Sequence, residues 1–311
     1  MKVCLLAGGV GGARMAQGLA QVLAPRHLTV LVNVGDDEDF HGLRVCPDID
    51  TVLYTLSGQI NREQGWGVAG DTQKALSVLK RLEAADSWMS LGDTDLGLHL
   101  YRTQQLLAGS SLSTVTDRIR RSFGIGAAVL PITDEPLATR IVTQDGQTLR
   151  FQQWFVRERA RLKVARIDFA GRAALSEAAE RAIKQADLLL FAPSNPWLSI
   201  APMLAVQGVA ALIEQSHADK IAISPLIGGK AIKGPLNPLM QDLHCRAGNA
   251  GIADFYAGLA DILVIDPIDQ ADCAHIEALG LDPWPLPTRI GEVQQSAQLA
   301  QSLLERLERG A

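Results

Sequence analysis

The first residues of the chain constrain its fold most. Val3–Leu6 is a short apolar run, and Gly8-Gly9-Val10-Gly11-Gly12 follows it. Ala13–Leu23 then places Met15, Leu19, Val22 and Leu23 at helical spacing, and Leu28–Val32 is a second apolar run. A strand that is apolar at every position is buried on both faces, so strand, glycine turn, helix and strand together read as a βαβ unit of a parallel sheet. The signature returns late in the chain. Leu188–Ala192, Ile221–Ser224 and Ile262–Ile265 are short, apolar and bounded by loops. Helical patterns at Ala173–Gln185, Leu204–Gln215 and Ala250–Leu259 separate them, and Val293–Leu307 carries one apolar stripe of a closing helix.

The middle differs. Thr72–Leu82, Leu96–Leu107 and Leu112–Phe123 read as helices in close succession. Ala127–Leu130, Thr139–Thr143 and Thr148–Trp154 alternate like strands, with Gln144-Asp145-Gly146-Gln147 as a hairpin turn. The chain of 311 residues has room for this. We read an α/β fold, a doubly wound and mostly parallel sheet built from 1–64 and 165–311, with a smaller inserted α+β subdomain over 65–164.

The glycine turn brings backbone N–H groups close to an anion at a helix N-terminus, where the peptide dipoles favour negative charge. A dinucleotide fingerprint counted from Gly9 fails, because Arg14 stands where its third glycine belongs, and a P-loop lysine and hydroxyl are absent. A phosphate site at Gly8, Gly9, Gly11 and Gly12 and a plain tight turn are both compatible with the pattern. The second strand runs into Asp36-Asp37-Glu38-Asp39, which is either a solvated loop or part of a polar pocket.

Pro47-Asp48-Ile49-Asp50-Thr51 precedes an apolar run. Two carboxylates on a turn can converge on one Mg²⁺, but Asp50 or Thr51 can equally begin a helix. Asp93-Thr94-Asp95 repeats the ambiguity, with Asp71 nearby and His99 one turn beyond Asp95. After the late strands come Pro193-Ser194-Asn195-Pro196 and Ser224-Pro225-Leu226-Ile227-Gly228-Gly229-Lys230, with Lys233 a few residues on. Special loops at three strand ends of one sheet form the pattern of a nucleotide crevice.

A net charge of −5 argues against a nucleic-acid partner, because phosphate attraction needs a basic face. No apolar stretch reaches the roughly 18 residues of a membrane span. The four cysteines make no metal or disulfide pattern, which fits reduced thiols in a cytoplasmic protein.

Several segments together resemble one family. They are Leu6–Arg14, Pro47–Tyr54, Gly65-Trp66-Gly67 with Asp71-Thr72, Leu91-Gly92-Asp93, Leu130-Pro131 with Thr133-Asp134, Pro193–Pro196, and Ser224-Pro225 with Gly228. In order and in form they are similar to the 2-phospho-L-lactate transferase (CofD) family of coenzyme F420 biosynthesis. The resemblance implies a Rossmann-like core, a homodimer and a Mg²⁺-dependent reaction. In that reaction a phospho-organic acid passes from a guanosine diphosphate-linked donor to the deazaflavin FO, and GMP leaves. It further implies Asp48 and Asp50 as catalytic and metal-holding carboxylates, with Asp50, Asp93 and Thr94 near the acceptor. The nucleotide falls to Gly8, Gly9, Gly11, Gly12, Ser194, Asn195, Ser224, Gly228 and Gly229. Thr94 departs from the arginine usual in the family. A second resemblance, limited to the glycine turn and the following Asp-Asp, is to non-enzymatic nucleotide-sugar-binding regulators of the gluconeogenesis-factor family, which lack the Pro47–Tyr54 form.

Overall fold

The structure, a computed structural model, describes residues 1–310. Seven parallel strands form the central sheet: β1 (Val3–Ala7), β2 (Leu28–Val32), β3 (Ala128–Pro131), β4 (Leu188–Phe191), β5 (Asp219–Ile223), β6 (Ile262–Ile265) and β7 (Asp282–Pro285). Their spatial order is β7-β6-β5-β4-β1-β2-β3. The chain thus winds outward from β1 in one direction and, from β4, in the other. The crevice where the direction reverses, between β1 and β4, is where ligands bind in such sheets. Every residue of β1 and β4 is buried, which is why these strands are apolar without alternation.

Helix α1 (Gly9–Val22) leaves β1 directly and packs on α2 (Pro47–Leu56) and on the C-terminal helix Val293–Gly310. Its crossing of the C-terminal helix is close at Gly18, where a Cβ would lie 2.3 Å from the Ser296 carbonyl oxygen. The next helices are α3 (Lys74–Arg81), α4 (Asp93–Leu107) and α5 (Leu112–Ser122), near the expected positions.

Several elements differ from the sequence reading. Ala128–Pro131 lies within 65–164 yet joins the central sheet, pairing with β2 from Thr29↔Ala128 to Val32↔Pro131. A small antiparallel sheet forms from Ala138–Thr143, Thr148–Arg150 and Val164–Ala170, and so continues past residue 164. The expected strand Thr148–Trp154 ends at Arg150, and a π-helix follows at Gln153–Arg157. Strand β7 contains Pro283 and Pro285 and shows no apolar run; it is tolerated because it is an edge strand.

Candidate active site

A cavity of about 980 Å³ opens at the switch point. Its walls come from the carboxyl ends of three strands: Gly8–Gly11 after β1, Pro193–Asn195 after β4, and Ser224 and Pro225 after β5. Two π-helical turns, Gln153–Arg157 and Pro196–Ile200, also contribute to the lining. Such turns recur at functional sites, and nothing in the local sequence signals them.

The glycine turn is built for close approach. Gly9 sits at φ 62°, and a Cβ on Gly11 would come within 2.2 Å of the Pro193 carbonyl oxygen. Ser194 closes the turn: its hydroxyl accepts from the Gly8 amide at 3.3 Å and donates to the Gly8 carbonyl at 2.6 Å. Gly12 packs behind the turn against Ala7 and does not line the cavity. Gly9 donates to Asp48 Oδ1 at 2.8 Å. Val10 and Gly11, whose first-turn amides have no acceptor inside the helix, line the cavity at the positive end of α1.

The late glycine loop looks similar in sequence but is already satisfied. The Gly228 and Gly229 amides donate to the carboxylate of Asp269 at 2.9 and 2.8 Å, and neither glycine lines the cavity. They are not placed to hold a nucleotide. Asn195 uses its side-chain oxygen to cap the turn after it, accepting from Trp197 and Leu198.

Pro47–Leu56 is a helix, and that separates the two carboxylates expected to act together. Residues two apart on a helix point about 200° apart. Asp48 faces the first strands: its Oδ2 accepts from Asn33 at 3.0 Å. The same Asn33 amide donates to Asp36 at 3.2 Å, and Asp36 and Asp48 both line the cavity. Burial raises the pKa of both, and the charge of Asp48 raises that of Asp36 further. Asp37 and Glu38 are buried next to this pair, and Asp37 Oδ1 and both Glu38 carboxylate oxygens have no hydrogen-bond partner. Burial pushes the Asp37 carboxyl up to about 8. Within the acidic run Asp36 alone lines the cavity; Asp37 and Glu38 are buried outside it, Glu38 lying 3.7 Å from Arg150, and Asp39 is exposed and paired with Arg44.

Asp50 also lines the cavity, but its carboxylate has a different partner. Both its oxygens bind the guanidinium of the fully buried Arg102, with Nη1–Oδ2 at 3.1 Å and a second bond from Nη2 to Oδ1. Burial works against the Arg102 charge, but Asp50 outweighs it and raises the pKa. His99 Nδ1 lies 3.6 Å from Asp50, yet burial holds the imidazole pKa down to about 4, so His99 is neutral and this is no ion pair.

Asp93 and Thr94, expected near the acceptor, do not line the cavity. Asp93 caps α3, accepting from the Lys74 and Ala75 amides at 3.0 Å, while Asp71 accepts from the Thr94 amide at the start of α4. The two aspartates thus cap each other's helices, and Thr94 is exposed outside the site. Asp95 takes the cavity position instead. It accepts from the Tyr54 hydroxyl at 2.7 Å, and burial pushes its carboxyl up to about 6. Trp66, Met89, Leu91 and Phe155 add apolar surface to the cavity lining.

The donor set bears on a divalent cation. Mg²⁺ in phosphate chemistry uses one or two carboxylates and completes its shell with water and substrate phosphates. Asp36 and Asp48, buried, close and mutually repelling, fit that use. Asp50 does not, since both its oxygens hold Arg102. Among the described residues no group of three or more histidines, cysteines or acids is placed to bind a metal without a substrate. Arg14, Lys233 and Arg289 also line the cavity, and none is among the ion pairs of the described residues.

Residues 3–284 match the family described as 2-phospho-L-lactate transferase CofD. The chain is 35% identical to the phosphoenolpyruvate transferase of Streptomyces griseus over 311 residues, covering 98% of each chain. It is 36% identical to that of Kitasatospora aureofaciens, covering 98% of this chain and 97% of the relative. The counterpart from Mycobacterium tuberculosis H37Rv is 35% identical over 322 residues, with 97% of each covered. Among solved structures, protein BH3568 of Bacillus halodurans superposes with a TM-score of 0.66 at 18% identity, covering 97% of this chain and 99% of that one, which shows a shared fold. No described helix is long and apolar enough to cross a membrane.

Proposed function

Because the chain belongs to the 2-phospho-L-lactate transferase CofD family, we propose that it joins a phospho-organic acid from a guanosine diphosphate-linked donor to the deazaflavin FO, releasing GMP. Its relatives carry the name phosphoenolpyruvate transferase, which supports phosphoenolpyruvate, or the kindred 2-phospholactate, as the acid. One observation carries the reading. A single cavity is lined by an α-helix N-terminus, a buried carboxylate pair and cations outside any ion pair, and also by apolar and aromatic side chains. A polyanionic donor and a flat, mostly apolar acceptor need both kinds of lining.

The residues divide the work accordingly. The first-turn amides of Val10 and Gly11, with Arg14 and Lys233, hold the donor phosphates, offsetting their charge in a protein that is acidic overall. Asp36 and Asp48 would hold Mg²⁺, which supplies positive charge for the phosphates of donor and leaving group. Gly9 and Asn33 fix the Asp48 carboxylate by hydrogen bonds, so its position is set before substrate arrives. Trp66 and Phe155 pack on the acceptor ring and fix its tail toward the donor. Transfer is an in-line attack by the acceptor's hydroxyl on the phosphorus, and positioning with electrostatic complementarity supplies most of the acceleration. Homodimerisation and a cytoplasmic location belong to the same proposal.

Incubating the protein with FO, GTP, Mg²⁺, candidate phospho-acids and the matching guanylyltransferase tests it. The deazaflavin should gain the mass of the phospho-acid. Unchanged FO with every acid would refute the reading.

A further inference from the structure

Phosphate handling leaves one polar patch of the cavity without a task. His99 is 2% exposed, and its Nδ1 lies 3.3 Å from Arg102 Nη1. A guanidinium only donates, so Nδ1 accepts, and the proton of the neutral ring sits on Nε2. Nε2 is buried and has no partner, although His99 lines the cavity. A buried donor left unsatisfied is costly, and native structures retain few of them. The ring cannot turn away without cost, because the ion pair of Arg102 with Asp50 fixes its other side.

One helical turn earlier on α4 stands Asp95, 8% exposed and lining the same cavity. Tyr54 occupies its Oδ1. Oδ2 lies outside that bond, on the side of Gly67, 4.0 Å from where a Cβ on that glycine would stand. Residues four apart on a helix share a face, so an acceptor and a donor stand side by side. The same cavity is lined by the apolar side chains of Trp66, Met89, Leu91 and Phe155. An acceptor next to a donor at the end of an apolar slot complements a flat ring that carries N–H beside C=O. It complements an isolated alcohol less well, since the slot would leave the rest of the wall without a partner.

We infer that Asp95 and His99 read the imide edge of the acceptor's ring, Asp95 Oδ2 accepting from the ring N–H and His99 Nε2 donating to the neighbouring carbonyl. This rests on the deazaflavin reading above, whose pyrimidinedione ring presents N3–H between two carbonyls. Asp95 and His99 are then specificity residues for the acceptor, and the proton of the attacking hydroxyl is not taken by Asp95.

Ring fluorescence gives the dissociation constant of the full-length protein for FO and for its N3-methyl derivative. The N3-methyl ring should bind about ten- to a hundredfold more weakly. His99→Leu should weaken FO binding by about tenfold, raising KM with kcat nearly unchanged. His99→Gln, which keeps a donor near the Nε2 position, should restore binding to within a few-fold. Equal affinity for the two rings would overturn the inference. So would a His99→Leu protein that binds FO normally, or an Asp95→Asn protein that loses kcat while ring affinity is intact. If neither ring binds the wild-type protein, the acceptor reading itself fails and takes this assignment with it; equal binding sinks the assignment alone.

Discussion

Two Asp-x-Asp pairs open two helices, and they look alike in sequence. Asp48 and Asp50 start α2; Asp93 and Asp95 start α4. In each, one carboxylate lines the cavity without an ion-pair partner and the other is tied into the scaffold. Asp48 and Asp50 both line the cavity, but Asp50 neutralises buried Arg102; Asp95 lines it while Asp93 lies outside and caps α3. The cause is geometric. A turn could gather both carboxylates, but a helix throws residues two apart onto opposite sides. The comparison teaches that an acidic pair at a helix start supplies one group for chemistry and one for structure, and that only the packing decides which.

The largest effect should come from Asp50→Ala. It strands a buried guanidinium, which typically costs about 3–5 kcal/mol, read as a lower denaturant midpoint. An Asp50→Ala protein as stable as wild type but inactive would return Asp50 to the chemistry and break the comparison. Asp48→Asn should do the reverse, lowering turnover about 10²- to 10³-fold with the melting curve nearly unchanged. Near-normal product formation by that variant would remove Asp48 from the site.

Asp95 sharpens the contrast through pH. Its carboxyl is raised from 3.8 to about 6 in the fold. A raised folded pKa means the native state binds the proton more tightly, so stability is fullest below pH 3.8 and falls as the pH rises through 6. The loss is up to about 3 kcal/mol at roughly 1.4 kcal/mol per unit. Asp95→Asn removes that dependence, so the variant should gain on wild type as the pH goes from 4 to 7. A constant difference across that range would show that Asp95 is not buried as an ion. The smallest effect belongs to Asp93→Ala, a lost cap. A melting point lower by a few degrees with unaltered turnover is expected; lost turnover would place Asp93 in the site.

Much of the fold was legible because parallel strands buried on both faces leave apolar runs that need no partner to be recognised. Strand β7 was not, since Pro283 and Pro285 hide it and only its edge position makes it possible. The glycine turn, Ser194 and Asn195 announced the crevice through local chemistry. Family membership was readable from ordered segments, and the match over residues 3–284 falls to the transferase rather than the regulator family. Partnerships across the chain were not readable. Nothing near Asp50 reveals Arg102, 52 residues later. Nothing near Gly228 reveals that Asp269, 41 residues on, fills the amides an anion would use. Asp36 stood open between loop and pocket because burial of an acidic run depends on what covers it.

The account turns on the proposal that Asp36 and Asp48, and not Asp50, gather a cation. Mn²⁺ binding, followed by water-proton relaxation in the presence of GDP, measures this directly in wild type and in the Asp36→Asn, Asp48→Asn and Asp50→Asn proteins. Enhancement should vanish with Asp36→Asn and with Asp48→Asn and survive in folded Asp50→Asn. Enhancement lost with Asp50→Asn but kept with Asp36→Asn would contradict the account.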